Sequence, residues 1–198
     1  MNDLAVEQKT PIRRILVYGV TGSGKTTLAR LIGERTGLPW HSVDDLTWEP
    51  GWVQVPDEVQ RRRIEVICDG PEWILDTAYA SWREIPLSKA ELIVALDYPR
   101  WLSLSRLVKR CLLRLVDGKT ICNGNRESLK MLLSKESIVR WHFHSFNSKR
   151  NRIAKWSTDP GGPAVIRIRS SKQLNQWLDR LGQGSLKRLS NESSNVGT

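Results

Sequence analysis

Glycines and a Lys-Thr pair near the start of the chain have the spacing of a phosphate-binding loop. Residues 19–26 read Gly-Val-Thr-Gly-Ser-Gly-Lys-Thr and fit the pattern G-x-x-x-x-G-K-[ST] at every fixed position. Glycines let the backbone curl so that successive N–H groups point at a polyphosphate, and the next helix adds positive charge there. In such loops the lysine reaches the β- and γ-phosphates, and the threonine hydroxyl holds Mg²⁺. The spacing predicts nucleoside triphosphate binding by Gly19, Thr21, Gly22, Ser23, Gly24, Lys25, Thr26 and Thr27.

The segments on either side of this phosphate loop (residues 19–26) supply the context that the motif requires. Residues 12–18 form an apolar, β-branched run that predicts a buried strand. Residues 27–35 carry apolar side chains at helical spacing, and Gly37 with Pro39 ends that helix. The order strand, glycine loop and helix makes a turn without a ligand the weaker interpretation.

The rest of the chain alternates between strand and helix patterns. This alternation predicts an α/β fold with a five-stranded parallel sheet and helices on both faces. We expect a flexible N-terminus over 1–11, one domain over 12–182 and a disordered tail over 183–198. After the first strand, further strands are predicted at 38–43, 73–76, 91–96 and 164–168, and later helices at 56–69, 100–116, 126–156 and from 170 onward.

Carboxylates follow two of the predicted strands, at the edge where a parallel sheet binds its ligands. Asp76 ends the third strand, where it can reach Mg²⁺ or its waters, with loop capping as the alternative. Asp44 and Asp45 follow the second strand, and either can accept a proton from an acceptor hydroxyl or cap a helix. Trp48 and Trp52 come next; they either stack on an acceptor or fill the core.

The positive charge of the chain lies in one segment. The chain has a net charge of +10, and residues 100–156 hold 14 Lys and Arg against 3 Asp and Glu. The remaining residues are almost balanced in charge, so this basic segment (residues 100–156) carries the whole excess. It is typical either of a nucleic-acid surface or of a helical lid, at about 111–152, that closes over phosphates. Arg106 and Arg110 stand four apart on one helix face, and the lid cations are Arg140, Arg150 and Arg152.

Length and composition limit the protein class. With 198 residues the chain is expected to form one domain without disulfides, and its three cysteines are scattered and odd in number. The first ten residues lack a signal-peptide core, and no stretch approaches 18 apolar residues, so we expect no membrane partner. These features predict a cytoplasmic protein, either a monomer or a homodimer.

Several stretches resemble a group of small bacterial phosphate-loop kinases that are called adenylate-kinase-like or DNA topology modulation proteins. The similarity spans roughly residues 12–180. In the group's Asp-x-Leu-x-Trp-x-Pro-Gly-Trp block the leading acid aligns with Asp44, which favours Asp44 over Asp45. The resemblance rests on residues 19–26, 43–52, 73–76, 123–127 and 137–141, which read GVTGSGKT, VDDLTWEPGW, WILD, NGNRE and SIVRW.

The resemblance implies a three-layer α/β fold, ATP with Mg²⁺, and phosphoryl transfer to a small acceptor such as a nucleotide or nucleoside. The stretch 96–99 followed by Arg106 and Arg110 is similar to the lid-proximal helix of nucleoside monophosphate kinases, in which two arginines contact the ATP phosphates. Tyr79 joins the implied acceptor site with Asp44, Trp48 and Trp52. The chain departs from the group at Thr77 and Ala78, where the group has Gly-Asn, and it has no clear arginine-bearing AMP insert.

Three functional hypotheses follow from these patterns. The first is an ATP-dependent kinase, with Lys25, Arg106, Arg110 and Asp44 as its catalytic residues and Thr26 and Asp76 as its metal ligands. The second is an ATP-binding regulator whose basic segment contacts nucleic acid. The third is a slow ATPase that transfers the phosphoryl group to water.

Overall fold

A five-stranded parallel sheet lies between two layers of helices. The computed structural model describes residues 11–117, 123–125 and 137–183. The strands are β1 (Arg14–Gly19), β2 (Trp40–His41), β3 (Trp48–Glu49), β4 (Val53–Gln54), β5 (Trp73–Leu75), β6 (Leu92–Leu96) and β7 (Ala164–Ile168). The order of strands across the sheet is β2-β5-β1-β6-β7, and β3 and β4 form a separate antiparallel hairpin.

Helices connect successive strands of the sheet, which makes the crossovers that parallel pairing requires. No helix in the described ranges combines the length and apolarity that a membrane crossing would need. The helices are α1 (Lys25–Thr36), α2 (Val43–Thr47), α3 (Asp57–Cys68), α4 (Glu84–Lys89), α5 (Arg100–Asp117), α6 (Ile138–Ser157) and α7 (Ser171–Gln183).

The central strand β1 shows why the fold has three layers. Its side chains alternate between the two faces of the sheet, as strand geometry requires. Ile15 and Val17 are fully buried in a cluster with α1 and α7. Leu16 and Tyr18 are fully buried in a second cluster with α3, α4 and α6. The predicted α/β fold with a five-stranded parallel sheet is therefore confirmed.

The second strand is shorter than the sequence predicted. Only Trp40 and His41 pair with β5, so the predicted strand over 38–43 was wrong in its extent. The chain turns into helix α2 at Val43, whose N–H donates to the carboxylate of Asp76. Asp44 therefore lies in the first turn of a helix and does not directly follow a strand.

The other predicted elements agree closely with the structure. The later strands lie within the predicted ranges, and β7 matches residues 164–168. The turn-rich segment around Trp48 and Trp52 contains the hairpin β3–β4 (residues 48–54, the tryptophan hairpin). Predictions for residues 1–10, 118–122, 126–136 and 184–198, which include part of the predicted lid at about 111–152, lie outside the described residues.

Helix α5 packs directly against the phosphate loop. Gly22 in the loop has φ 80°, in the left-handed region that favours glycine. A Cβ at this position would lie 2.5 Å from the carbonyl oxygen of Ser103 and 2.8 Å from Cβ of Leu107. The absence of a side chain at Gly22 therefore allows α5 to approach the loop and bring its arginines there.

Replacing Gly22 by alanine tests this packing. We expect Gly22→Ala to lower the free energy of unfolding by about 2–5 kcal/mol, because left-handed strain adds to a backbone clash. Gly37→Ala is the matched control, since Gly37 has φ 76° but no atom within 4 Å of the added carbon. We expect the control to cost about 1–2 kcal/mol. Equal losses for the two variants in denaturant unfolding would contradict the packing.

Candidate functional site

The phosphate loop joins the end of β1 to the start of α1 at the carboxyl edge of the sheet. Gly22 and Gly24 have φ 80° and 93°, so the backbone turns through the left-handed region twice in three residues. Helix α1 begins at Lys25, and Gly24 at its N-cap offers no side-chain cap. The amides of the first helical turn have no carbonyl acceptor within the helix. This geometry suits an anionic ligand.

The carbonyl oxygen of Val20 organises the interior of the loop. It accepts hydrogen bonds from Ser23 N at 3.2 Å, Ser23 Oγ at 2.7 Å and Lys25 Nζ at 3.0 Å. Ser23 is buried, so its side chain serves the loop itself. The ammonium of Lys25 is therefore folded back over the loop, close to where the motif places the phosphates.

The charge on Lys25 is disfavoured by its surroundings. Burial lowers the pKa of Lys25, the nearby guanidinium of Arg110 lowers it further, and the carboxylates of Asp44 and Asp76 oppose the shift. These effects place Arg110, Asp44 and Asp76 within electrostatic reach of the loop lysine. Three residues that the sequence predicted for the site therefore act on the charge of the same lysine.

Asp76 and Thr26 form the pair that the sequence predicted as metal ligands. Thr26 Oγ1 donates to Asp76 Oδ2 at 2.5 Å, and Val43 N donates to Asp76 Oδ1 at 2.9 Å. Asp76 is only 2% exposed, and burial raises its pKa while the hydrogen bonds from Thr26 and Val43 oppose the rise. A hydroxyl beside a buried carboxylate is a pair of hard oxygen donors, and such a pair fits Mg²⁺.

Arg106 and Arg110 both approach the site from helix α5. Arg106 Nη1 lies 3.5 Å from the carbonyl oxygen of Ser23, and Nη2 donates to Ser171 Oγ at 2.9 Å. Its guanidinium carbon lies 4.8 Å from the ring centroid of Tyr98. Arg110 is half-buried and acts on the charge of Lys25. The shared helix face predicted from their spacing is thus directed at the phosphate loop.

Lys149 on α6 is a site residue that the sequence analysis missed. Its Nζ donates to the carbonyl oxygen of Gly19 at 3.4 Å and lies 5.8 Å from the ring centroid of Tyr18. Arg152, one turn further along, donates to Tyr18 Oη at 2.6 Å. Lys149 lies three residues after the buried Phe146 and four before the buried Ile153. That helical spacing was the available signal, and it places Lys149 on the packed face.

The surroundings of Lys149 also weaken its charge. Burial, followed by the charges of Lys25 and Arg152, lowers the pKa of Lys149 to about 7, and Asp44 opposes the shift. The ammonium is therefore charged below about pH 7 and becomes neutral above it. A bound polyanion would favour the charged form.

The other two predicted lid arginines have different surroundings. Arg150 Nε lies 3.2 Å from Oδ1 of the buried Asp97, which Arg167 also contacts at 2.6 Å. Arg140 is exposed in the first turn of α6. Arg140 precedes Lys149 by nine positions, which corresponds to about 14 Å along the helix axis. Among the three arginines, Arg152 is the one with a direct contact to Tyr18, next to the loop.

The predicted acceptor residues lie on α2, the tryptophan hairpin and the segment after β5. Tyr79 Oη donates to Asp44 Oδ1 at 2.6 Å, and burial together with Asp44 raises the pKa of Tyr79, so the phenol stays protonated. Trp48 and Trp52 are half-buried and pack edge-to-face with ring centroids 5.9 Å apart. Asp45 is exposed. Of Asp44 and Asp45, Asp44 is therefore the carboxylate that acts on the charges of Lys25 and Lys149 at the loop.

The low pKa of Lys149 can be measured in the ligand-free protein. In ¹³C NMR of labelled lysine side chains, we expect the Lys149 Cε resonance to titrate with a midpoint of about 7. Asp44→Asn should lower this midpoint, because Asp44 stabilises the ammonium. Lys149→Met assigns the resonance. A midpoint in the usual lysine range, unaffected by Asp44→Asn, would contradict the geometry.

Comparison with solved structures identifies proteins of the same fold. A gluconokinase from Sinorhizobium meliloti 1021 superposes with a TM-score of 0.52 at 17% identity, covering 96% of this chain and 100% of that one. A shikimate kinase from Bacteroides thetaiotaomicron gives a TM-score of 0.50 at 14% identity, covering 87% of this chain and 97% of that one. No protein-family model matches the sequence, and no curated protein sequence matches it.

At these identities the likeness concerns the fold, and the narrower adenylate-kinase-like or DNA topology modulation group stays a prediction. Both solved proteins align over nearly their whole length. The chain therefore has the same three-layer α/β fold as this gluconokinase and this shikimate kinase.

Proposed function

We propose that this protein is an ATP-dependent phosphotransferase that passes the γ-phosphoryl group of Mg–ATP to a small acceptor. One observation carries the proposal: at the carboxyl edge of the sheet, cations from three helices converge on a loop with left-handed glycines. A hydroxyl–carboxylate pair and a second carboxylate lie beside them. The side chains are Lys25, Arg106, Arg110, Lys149, Thr26, Asp76 and Asp44.

The phosphate loop and its cations bind the triphosphate in this proposal. The free amides at the start of α1 contact phosphate oxygens, and Lys25 leaves the Val20 carbonyl to do the same. Arg106 and Arg110 reach the phosphates from α5, and Lys149 reaches them from α6. Apart from Lys25, these cations already lie at the loop, so they can stabilise developing negative charge with little reorganisation.

Thr26 and Asp76 would hold Mg²⁺, since their oxygens lie together at the edge of the loop. When bound, the ion neutralises charge on the β- and γ-phosphates. The raised pKa of Asp76 supports this assignment, because a cation beside a buried carboxylate offsets the cost of its charge.

Asp44 takes the proton of the acceptor in the transfer step. The acceptor oxygen bonds to the γ-phosphorus, its proton passes to the Asp44 carboxylate, and the bond from the γ-phosphorus to the bridging oxygen breaks, which releases ADP. The hydrogen bond from Tyr79 orients Asp44 for this role. Trp48 and Trp52, on the hairpin that directly follows α2, offer apolar faces for the rest of the acceptor.

The approach of two arginines from α5 to the loop favours an enzyme of the nucleoside monophosphate kinase type. A screen of nucleosides, nucleoside monophosphates, small sugars and acids for ADP release above the acceptor-free background tests the function. Wild-type protein that binds neither ATP nor ADP would rule the proposal out.

A second function, nucleic-acid binding controlled by ATP, is favoured by a different observation. Trp101 and Trp141 are exposed on the basic helices α5 and α6, and exposed aromatic rings among cations are typical of single-strand binding. The screen therefore includes a single-stranded oligonucleotide. Binding whose logarithmic affinity falls steeply with the logarithm of salt concentration, without phosphoryl transfer, would favour this function over the kinase.

Replacing the loop lysine tests the triphosphate site. We expect Lys25→Met to weaken Mg–ATP binding about 10–100-fold, because it removes a charge-assisted contact to phosphate while keeping most of the side-chain volume. Phosphoryl transfer should fall to background in the same variant. Lys155→Met, an exposed site on α6, is the matched control and should behave as wild type in calorimetry and turnover assays. Wild-type turnover in Lys25→Met would contradict the assignment.

Replacing Asp44 tests its role as the base. We expect Asp44→Asn to lower kcat about 10²–10⁴-fold, because a general base of this kind contributes that much. Its affinity for Mg–ATP should change less than threefold. Asp45→Asn, at the exposed neighbouring carboxylate, should keep wild-type kcat. A kcat for Asp44→Asn equal to that of Asp45→Asn would show that Asp44 is not the base.

A further inference from the structure

A short turn at residues 123–125 is hydrogen-bonded to the tryptophan hairpin and the residues before it. Residues 123–125 read Asn-Gly-Asn, and their two asparagine side chains make four hydrogen bonds to backbone atoms of residues 45–52. Asn123 Nδ2 donates to the carbonyl oxygens of Asp45 and Trp48, both at 2.8 Å. Between 73 and 78 residues of sequence separate the partners, so these are tertiary contacts.

The side-chain amide of Asn125 suits its surroundings. It is 4% exposed, its Nδ2 donates to the carbonyl oxygen of Glu49 at 2.9 Å, and its Oδ1 accepts from Trp52 N at 2.7 Å. One group thus binds a carbonyl in β3 and an amide just before β4. Aspartate lacks the donor and leucine lacks both functions, so asparagine alone among residues of this shape makes both bonds.

The backbone of the hairpin needs such support. Its two strands have two residues each, which is too short for a hairpin to be stable on its own. Trp52 has φ 58°, an uncommon conformation for a bulky residue. Its N–H donates the hydrogen bond that Asn125 Oδ1 accepts. The contact with Asn125 therefore acts at the strained residue, whose ring packs against Trp48.

We propose that Asn125 is a positioning residue of the acceptor site: through the turn 123–125 it fixes the tryptophan hairpin beside Asp44. This inference rests on the proposed function. The hairpin directly follows α2, which carries Asp44, and the turn lies in the sequence between α5 and α6, which carry the phosphate-binding cations. The basic segment thus contributes to both halves of the site, binding phosphates through its helices and setting the acceptor side through this turn.

Fluorine NMR of protein labelled with 5-fluorotryptophan tests the placement of the hairpin. We expect Asn125→Leu to shift or broaden the resonances of Trp48 and Trp52, which Trp48→Phe and Trp52→Phe assign. Asn125→Asp should give a smaller change, because it keeps the acceptor for Trp52 N. Asn151→Leu, at an exposed asparagine on α6, is the matched control and should leave both resonances unchanged.

Steady-state kinetics and calorimetry then separate positioning from general damage. For the screened compound with the highest kcat/KM, we expect Asn125→Leu to raise KM tenfold or more, with kcat changed less than threefold. The affinity for ADP, measured by calorimetry, should stay within twofold of wild type, and Asn125→Asp should recover part of the loss in KM.

Unchanged Trp48 and Trp52 resonances in Asn125→Leu would overturn the inference, and so would an ADP affinity that falls in parallel with KM. Wild-type protein that binds no adenine nucleotide would overturn the proposed function, and with it the assignment of an acceptor site. The fluorine spectra would then still report whether Asn125 fixes the hairpin, so the two failures are distinguishable.

Discussion

The buried carboxylate of Asp76 joins the segments from which the site is built. It directly follows β5, accepts a hydrogen bond from Thr26 at the start of α1 and accepts another from the Val43 amide at the start of α2. Burying a carboxylate costs several kcal/mol, and hydrogen bonds to a charged group return about 1.5–3 kcal/mol each. The position of the proposed metal-binding pair and the position of the helix that carries Asp44 therefore depend on the same group. The rest of the site is arranged around this junction.

Crowding of positive charge is the second constraint on the site. Burial lowers the pKa of both lysines; Arg110 lowers that of Lys25 further, and Lys25 and Arg152 lower that of Lys149 further. The carboxylate of Asp44 opposes the lowering of both pKa values. A polyphosphate would relieve this repulsion, so the free energy stored in the crowded cations favours binding an anion of high charge.

The acceptor side is built on less regular structure than the phosphate side. The phosphate loop is set between the central strand and a twelve-residue helix, whereas Asp44 and the tryptophans lie on a five-residue helix and a hairpin of two-residue strands. Such short elements depend on side-chain contacts from other parts of the chain, here Tyr79, Asn123 and Asn125. In the proposed function, variation at these few contacts would change the acceptor without disturbing triphosphate binding.

The sequence by itself determined the features that depend on local pattern. The spacing of residues 19–26 predicts the phosphate loop, and the alternation of strand and helix periods predicts the three-layer sheet, because both signals lie within a few consecutive residues. Asp76 was also predicted as a site residue, since the carboxyl end of a parallel strand is where such sheets bind ligands.

Only the tertiary structure decided which side chains complete the site. Lys149 contacts Gly19 across 130 residues, and Asn125 contacts Trp52 across 73 residues. Helical spacing places Lys149 on the packed face of α6, but it does not show that Lys149 meets the loop or that Arg150 pairs with the buried Asp97. Charge count is a property of composition, whereas the partner of each charge is set by packing between helices and strands that are distant in sequence.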